Sequence, residues 1–276
     1  MNYLQIQFEN ITEEQNEILI AQLNEIGFDG FEEDDRILKA CIPEENFDEN
    51  LFNTTINISV LKYSKSIIKK ENWNAIWEAD FRPIEVCYSN SSKPFVYIRA
   101  AFHEAKFGYN YDIIVTPKMS FGTGHHATTF LMVQQMSLIN FTSKSVIDFG
   151  TGTGVLAILA QKMGASNTLA IDCDDWSIEN TIENFEANNC NNIEVLQAST
   201  IPEGKKADII LANITLNVIT ENILQIRTAC LPHTTILFSG IMLHDEANIV
   251  NLLEKENFSV QAIYKKDNWL CIFAGA

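Results

Sequence analysis

The sequence has few of the features that mark exported or membrane proteins. Its six cysteines are scattered over 276 residues without a Cys-x-x-Cys pair, so neither a zinc site nor a disulfide framework is indicated. No apolar run approaches the roughly 20 residues of a membrane helix. The first residues have neither the basic start nor the apolar stretch of a signal peptide. We therefore expect a soluble, cytoplasmic protein with no membrane partner.

Positive charge is scarce, above all near the N-terminus. The chain has 19 lysines and arginines against 36 aspartates and glutamates, for a net charge of −17. Its first sixty residues hold fourteen acidic side chains against Arg36 and Lys39, a local net charge of −12. An acidic surface repels phosphate backbones and attracts basic partners. The composition therefore predicts a basic partner and no direct binding of nucleic acid.

The N-terminal sixty residues differ in pattern from the rest of the chain. Residues 1–61 predict the element order β-α-β-β-α-β of a ferredoxin-like sandwich. The predicted elements are Tyr3–Phe8, Glu13–Ile26, Phe28–Phe31, Arg36–Cys41, a helix near Glu44–Phe52, and Thr54–Leu61. This segment has no histidine and no pairing of a nucleophile with a base, so we predict an acidic substrate-recognition domain. Residues 62–92 are predicted to be a linker, and residues 93–276 the domain that carries the chemistry.

A glycine-rich turn marks the start of that chemistry. The predicted strand Ser145–Phe149 runs into Gly150-Thr151-Gly152-Thr153-Gly154, and a helical apolar pattern follows. Glycines let the chain turn sharply and let a ligand approach the backbone, while the following helix N-terminus offers unpaired N–H groups. Such a turn suits the carboxylate of an amino-acid cofactor. Its Gly-x-Gly-x-Gly spacing differs from the Gly-x-Gly-x-x-Gly of dinucleotide binders.

Two polar residues end the next apolar strands. Asp172 ends the predicted strand Thr168–Ile171, 22 residues after Gly150, which is the length of one strand–helix–strand unit. A carboxylate there is placed to accept both hydroxyls of a ribose. Asn213 ends a further strand that begins at Ala207, and its amide both donates and accepts hydrogen bonds. The carboxyl ends of these strands therefore predict a nucleoside-binding site.

The remaining pattern predicts an α/β fold. Strands at Thr234–Ser239, Phe258–Tyr264 and Trp269–Phe273 alternate with a helix near His244–Glu256. Seven strands with intervening helices and a terminal hairpin predict a doubly wound seven-stranded sheet whose last strand is reversed.

Two groups of residues resemble a known family. The run Asp148–Gly154, with Asp172 and Asn213, resembles the motifs of class I methyltransferases. The stretch Phe121–Thr129, Phe-Gly-Thr-Gly-His-His-Ala-Thr-Thr, resembles the Phe-Gly-Thr-Gly-x-His-x-Thr-Thr loop of the ribosomal protein L11 methyltransferases. The resemblance covers nearly the whole chain, because that family also joins a small ferredoxin-like recognition domain to its catalytic domain through a linker.

This resemblance implies a substrate, a cofactor and a set of contacts. The substrate is a basic protein of the large ribosomal subunit, methylated on lysine ε-amines and on its N-terminal α-amine, and the cofactor is S-adenosyl-L-methionine. Thr129, Gly150, Asp172 and Asn213 match the family's cofactor-contacting positions, and Gly152 belongs to the same turn as Gly150.

The Phe121–Thr129 stretch also bears on the substrate pocket, on a lid over the cofactor and on metal binding. Phe121 and Asn213 are candidates to line an apolar pocket in which a lysine amine loses its proton, and no residue is marked as a general base. The glycines in the stretch predict a mobile lid over the cofactor. Because no third ligand has a sensible spacing from His125 and His126, no metal is expected.

Other functions stay open on sequence alone. Release-factor glutamine methyltransferases typically carry Asn-Pro-Pro-Tyr after the fourth strand, whereas Asn213-Ile214-Thr215-Leu216 stands here. The acidic N-terminal residues disfavour an enzyme that acts on RNA. A methyltransferase of another protein or of a small-molecule amine remains possible, as does a non-catalytic cofactor-binding protein of the same fold.

Overall fold

The computed structural model describes residues 2–34, 36–56, 61–68, 81–116 and 122–276. The chain divides into two compact units, Met1–Trp73 and Asn74–Ala276. Within the described ranges, no helix is long and apolar enough to cross a membrane.

The described residues of the first unit form a four-stranded antiparallel sheet and two α-helices. Its elements β1, α1, β2, β3, α2 and β4 span Tyr3–Glu9, Glu13–Glu25, Gly30–Asp34, Ile37–Pro43, Glu49–Thr55 and Lys62–Ile68, with a 3-10 turn at Glu44–Asn46. The strands lie in the order β2-β3-β1-β4. The succession of elements is the predicted β-α-β-β-α-β, the order that a ferredoxin-like sandwich requires.

Local signals place the helices of this unit. At the start of α1, the Thr12 hydroxyl accepts from the Gln15 amide at 3.2 Å, and the Gln15 side chain accepts from the Thr12 amide at 2.9 Å. This reciprocal pair is a capping box. At the start of α2, the Asp48 carboxylate accepts two backbone amides at 2.8 and 3.1 Å. Because this cap sets its beginning, α2 starts later than predicted and continues to Thr55.

The strand predicted at Thr54–Leu61 is wrong for Thr54 and Thr55, which end α2, and residues 57–60 of that prediction lie outside the described residues. Its place in the sheet is taken by β4, Lys62–Ile68, which lies in the segment predicted as linker and pairs with β1 along its full length. The Tyr63 ring packs against Phe8 and Phe52 of the core, with ring centroids 5.9 and 5.7 Å apart. The sheet therefore needs the first residues of the predicted linker, because without β4 one edge of β1 loses its hydrogen-bonding partner.

The second unit contains a small sheet, a large sheet and the helices that cover it. Strands β5, β6 and β7 span Ile84–Cys87, Pro94–Arg99 and Tyr111–Ile114. The strands β8 to β14 span Ser145–Phe149, Asn167–Asp172, Ile193–Gln197, Ala207–Asn213, Cys230–Met242, Ser259–Lys266 and Trp269–Gly275. The helices α3 to α7 span Ala127–Met136, Val155–Lys162, Asp175–Ala187, Leu216–Thr228 and Glu246–Lys255.

The large sheet has the topology predicted for residues 93–276. Its strand order is β10-β9-β8-β11-β12-β14-β13. Only β14 runs antiparallel to its neighbours, β12 and β13, and the other pairs in this sheet are parallel. The doubly wound seven-stranded sheet with its last strand reversed is therefore confirmed. Strand order switches direction between β8 and β11, and open α/β sheets bind ligands at the carboxyl ends of the strands beside such a point.

Two hydrophobic cores bury both faces of this sheet. Val146 of β8 and Leu211 of β11 pack into the core that includes α3 and α4. Their neighbours Ile147 and Ile210 pack into the core that includes α6 and α7. A parallel sheet with helices on both sides requires this alternation of apolar residues. The strand ends, where burial stops, are left for polar side chains.

Candidate active site

The turn after β8 has room only for glycine. Gly150, Gly152 and Gly154 have φ angles of 77°, 56° and 79°, a region that residues with a Cβ rarely adopt. A Cβ on Gly150 would lie 2.2 Å from Cγ2 of Ile214, and one on Gly154 would lie 2.6 Å from Cε1 of Phe185. The glycine turn is thus required by packing as well as by backbone conformation.

Asp148 lies beneath the glycine turn and is fully buried. Its Oδ2 accepts from the Thr151 hydroxyl at 2.7 Å and from the Ala157 amide of α4 at 3.1 Å, while Oδ1 has no partner. Burial raises the pKa of this carboxyl to about 7, against the opposing effect of its two hydrogen bonds. Asp148 belongs to the sequence motif, but no role was predicted for it. A carboxyl group inside an apolar strand is the signal that could have pointed to a special role. One α4 amide predicted to face a ligand is used by this carboxyl instead.

Asp172 ends β9 as predicted and faces the glycine turn. Its Oδ2 accepts from the Gly152 amide at 2.8 Å, and its Oδ1 accepts from the Asp174 amide at 3.1 Å. Asp174 instead caps α5, accepting from the Ser177 amide and hydroxyl, both at 2.9 Å. A carboxylate offers about four lone-pair sites, so Asp172 can accept further hydrogen bonds. Asp172 thus keeps acceptor capacity beside the glycine turn, whereas Asp174 serves as a helix cap.

Asn213 and Thr129 meet although they are 84 residues apart in the chain. The Asn213 Nδ2 donates to the Thr129 Oγ1 at 3.2 Å, and both residues are buried. Asn213 Oδ1 is also buried and has no partner. An unsatisfied buried acceptor costs about 1–3 kcal/mol. This oxygen is therefore an open acceptor at the carboxyl end of β11.

Helix α3 begins inside the segment predicted as a lid. His126 caps it, with Nδ1 lying 2.8 Å from the Thr128 hydroxyl and 3.4 Å from the Thr128 amide. The His126 ring also packs edge-on against Trp269, with centroids 4.7 Å apart. The prediction of one loop over Phe121–Thr129 is therefore wrong for Ala127–Thr129, because the cap starts the helix at Ala127. The movement of the preceding residues stays a prediction.

The part of this segment before α3 is joined to the glycine turn. The Thr153 hydroxyl donates to the Gly122 carbonyl at 2.9 Å. Gly124, with φ at 97°, leaves no room for a Cβ, which would lie 2.9 Å from Cδ1 of both Ile84 and Ile98. Phe121, the other candidate for the pocket, lies outside the described residues. Among those that are described, no group of three or more His, Cys, Asp or Glu is placed to hold a metal ion.

Buried polar residues of α5 support the glycine turn from behind. The Thr181 hydroxyl donates to the Gly152 carbonyl at 2.6 Å, and the Asn184 amide donates to the Thr153 carbonyl at 2.8 Å. Both side chains are fully buried. Neither residue was predicted from the sequence, and the signal that marks them is a pair of polar residues on the buried face of an amphipathic helix.

Comparisons with known proteins point to one family over nearly the whole length of the chain. The family model for "Ribosomal protein L11 methyltransferase (PrmA)" matches residues 4–276. A curated relative of that name from Chlorobaculum tepidum is 38% identical, over 98% of this chain and 95% of its own. Another, from Porphyromonas gingivalis, is 34% identical over 93% of this chain and 89% of its own.

A solved structure agrees with these matches. The crystal structure of ribosomal protein L11 methylase from Lactobacillus delbrueckii subsp. bulgaricus aligns with a TM-score of 0.62 at 26% sequence identity. The alignment covers 69% of this chain and 97% of that one.

Proposed function

Because the chain belongs to the ribosomal protein L11 methyltransferase family, we propose that it methylates lysine ε-amines and the N-terminal α-amine of ribosomal protein L11. It is a protein-lysine N-methyltransferase, and its methyl donor is S-adenosylmethionine. Alongside the family match, one structural observation carries the assignment of its site. Thr129, the glycine turn, Asp172 and Asn213 converge at the carboxyl ends of β8, β9 and β11.

The residues at this edge fit S-adenosylmethionine. The glycine turn brings backbone close to any ligand, and Asp172 keeps acceptor capacity for two ribose hydroxyls. Asn213 Oδ1, buried and unpaired, fits a donor on the cofactor or on the acceptor amine. The proposed cofactor contacts are Thr129, Gly150, Gly152, Asp172 and Asn213. When bound, the cofactor supplies a methyl group already activated on a sulfonium.

The work left to the protein is alignment and control of one proton. A lysine amine with a pKa near 10.4 in water must be neutral to accept a methyl group, and burial in an apolar pocket favours the neutral form. The Thr129 hydroxyl bond holds the Asn213 amide in place, which leaves Oδ1 to accept an N–H of the incoming amine. Holding donor and acceptor in one orientation removes the entropy cost of their encounter. Phe121 is proposed to contribute to the apolar wall.

The acidic first unit is proposed to recruit a basic substrate. Glu32 and Glu33 lie on β2, where Glu32 pairs with Lys39 at 2.8 Å and Glu33 accepts from Asn16. Lys65 of β4 pairs with Glu49, but fourteen acids against two basic residues in the first sixty leave this part of the chain with an excess of negative charge for a basic partner. Long-range attraction of this kind raises association rates and weakens as salt rises. The same charge is proposed to keep nucleic acid from binding.

The function is tested by incubating the full-length protein with labelled cofactor and purified L11, followed by mass spectrometry of the labelled protein. We expect label on lysines and on the N-terminus, and none when Asp172→Ala replaces the wild type. Label on a different ribosomal protein, with none on L11, would refute the proposed substrate.

Recruitment is tested separately by a charge-neutral triple variant of the first unit, Glu32→Gln, Glu33→Gln and Asp34→Asn. Its kcat/KM for L11 should fall severalfold at ~50 mM salt and approach the wild-type value at ~300 mM. The matched control is Glu221→Gln, Glu254→Gln and Glu256→Gln in the second unit. Equal losses in both triples would show that net charge matters and that its position does not.

A further inference from the structure

The loop between β6 and β7, residues 100–110, presents aromatic side chains to solvent. Phe107 is 98% exposed and Phe102 is 58% exposed. Burying one phenylalanine side chain stabilises a protein by roughly 1.5–3 kcal/mol. Two phenylalanines exposed within six residues leave that stabilisation unused. Single exposed apolar side chains are ordinary on protein surfaces, but aromatic residues are enriched where proteins bind one another. The proposed function gives these two rings no role.

Both ends of the loop are held in place. Arg99 binds both carboxylate oxygens of Asp112, from Nε at 2.9 Å and from Nη2 at 2.8 Å, and its Nη1 donates to the His103 carbonyl at 2.8 Å. At the other end, Glu85 of β5 accepts from Lys106 and from the Tyr109 hydroxyl. A loop fixed in this way loses little conformational freedom on binding, which favours affinity.

A continuous run of rings joins the loop to the active-site segment. The centroid of the Phe102 ring lies 4.5 Å from that of His103, and the His103 ring stacks on Phe81 with centroids 6.0 Å apart. Phe81 in turn contacts the ring of His125 edge-on at 4.6 Å. His125 follows Gly122–Gly124, the stretch bonded to the glycine turn. The run of rings therefore links Phe102 to the segment that precedes α3, and Phe107 lies five residues further along the same loop.

We propose that Phe102 and Phe107 form a docking surface for the body of the protein substrate, which this loop holds while one of its amines enters the site. The inference rests on the proposed function, because only a protein substrate brings a surface with its reacting side chain. Exposed aromatic faces bind apolar patches and the cationic side chains of a lysine-bearing surface. The loop's own Lys106 is paired with Glu85 and does not repel such a partner.

The test is the double variant Phe102→Ala, Phe107→Ala in the full-length protein. We expect KM for L11 to rise about tenfold, as loss of an interface anchor does, with kcat changed less than about twofold. The dissociation constant for S-adenosylmethionine, measured by calorimetry, should be unchanged. Binding of L11 in the presence of S-adenosylhomocysteine should weaken by the same factor as KM.

Leu224→Ala is the matched control, because Leu224 is 60% exposed on α6, a helix that packs on the other face of the large sheet. It should leave KM and L11 binding unchanged. An unchanged KM in the double variant, or an equal rise in the control, would overturn the docking role while leaving the methyltransferase assignment intact. A wild-type protein that neither methylates nor binds L11 would overturn both.

Discussion

Two aspartates on neighbouring strands of the large sheet have opposite surroundings. Asp208, at the amino end of β11, accepts from the Ser145 amide at 2.9 Å, the Ser145 hydroxyl at 2.8 Å and Lys144 at 3.2 Å. The Ser145 amide foremost, together with these partners, holds the pKa of Asp208 below its ordinary value. Asp148, near the carboxyl end of β8, has one oxygen unpaired and a raised pKa.

This difference separates polar groups that serve the fold from those that serve the site. At the amino end, Asp208 ties β11 to β8 with every contact made inside the protein. At the carboxyl end, Asp148 and Asn213 each keep a buried acceptor unpaired. Five other buried side-chain atoms among the described residues also have no hydrogen-bond partner, so an unpaired atom by itself does not mark the site; they belong to Asn16, Gln161, Thr168, Asn180 and Thr200. Asp148 and Asn213 stand apart by position, because they lie near the carboxyl ends of the neighbouring strands β8 and β11, where open α/β sheets bind ligands.

The largest effect that sharpens this contrast is expected from Asp172→Ala. Loss of the hydrogen bonds to two ribose hydroxyls should weaken cofactor binding by roughly 2–4 kcal/mol, since charge-assisted bonds contribute about 1.5–3 each and do not add fully. Calorimetric titration measures the change. Asp208→Ala is the control in the same sheet, and it should bind cofactor like the wild type. Unchanged affinity in Asp172→Ala would remove this residue from the site.

Asn213→Ala should reduce turnover more than it reduces stability. Removing the acceptor and its Thr129 contact is expected to lower kcat roughly 10- to 100-fold, corresponding to one or two hydrogen bonds. The free energy of unfolding should change by less than about 1 kcal/mol, because an unsatisfied buried oxygen disappears along with one bond. Steady-state kinetics and urea unfolding measure the two quantities. A destabilised variant with normal turnover would place Asn213 with Asp208 as a structural residue.

Asp148→Asn should abolish a pH dependence of stability. The folded pKa of about 7 lies above the unfolded value of about 3.9, so the native state holds the extra proton between them. Stability therefore falls as pH rises through this window and levels off above about 7. Between pH 5 and pH 8 the wild type should lose about 2 kcal/mol of unfolding free energy through this group, and the asparagine variant should not. Parallel pH profiles for the two proteins would contradict the raised pKa.

Asp208→Asn should have the smallest effect of these variants. Its effect on the pH dependence of stability should be opposite in sign to that of Asp148→Asn. Because the folded pKa of Asp208 is lowered, its contribution is present above the ordinary carboxyl pKa and is lost as pH falls below it. At neutral pH the variant should lose about 1 kcal/mol of unfolding free energy and keep wild-type methylation. Thermal unfolding at pH 7 and pH 3 measures it. A larger loss at pH 3 than at pH 7 would disprove this account of Asp208.

Local pattern was sufficient for some elements and failed for others. Strand β8 and the strand-end position of Asp172 were predicted because an apolar run followed by glycine or by a carboxylate is visible within a few residues. Helix α3 was missed because nearly every residue from Ala127 to Met136 is buried, which erases the one-sided periodicity of an amphipathic helix. Strand β4 was missed because all of its residues except the half-buried Tyr63 are exposed, so its sequence has no alternation of apolar and polar residues.

The sequence by itself determined strand β8, the glycine turn that follows it and the polar residues that end β9 and β11. Only the tertiary structure decided the partners of those residues. It bonded Asn213 to Thr129, bonded Asp172 to Gly152, and satisfied one oxygen of Asp148 while leaving the other unpaired. Propensity, turns and caps depend on neighbours in the chain. Hydrogen-bond satisfaction and pKa depend on which strands become neighbours in space, and that is settled only when the whole sheet packs.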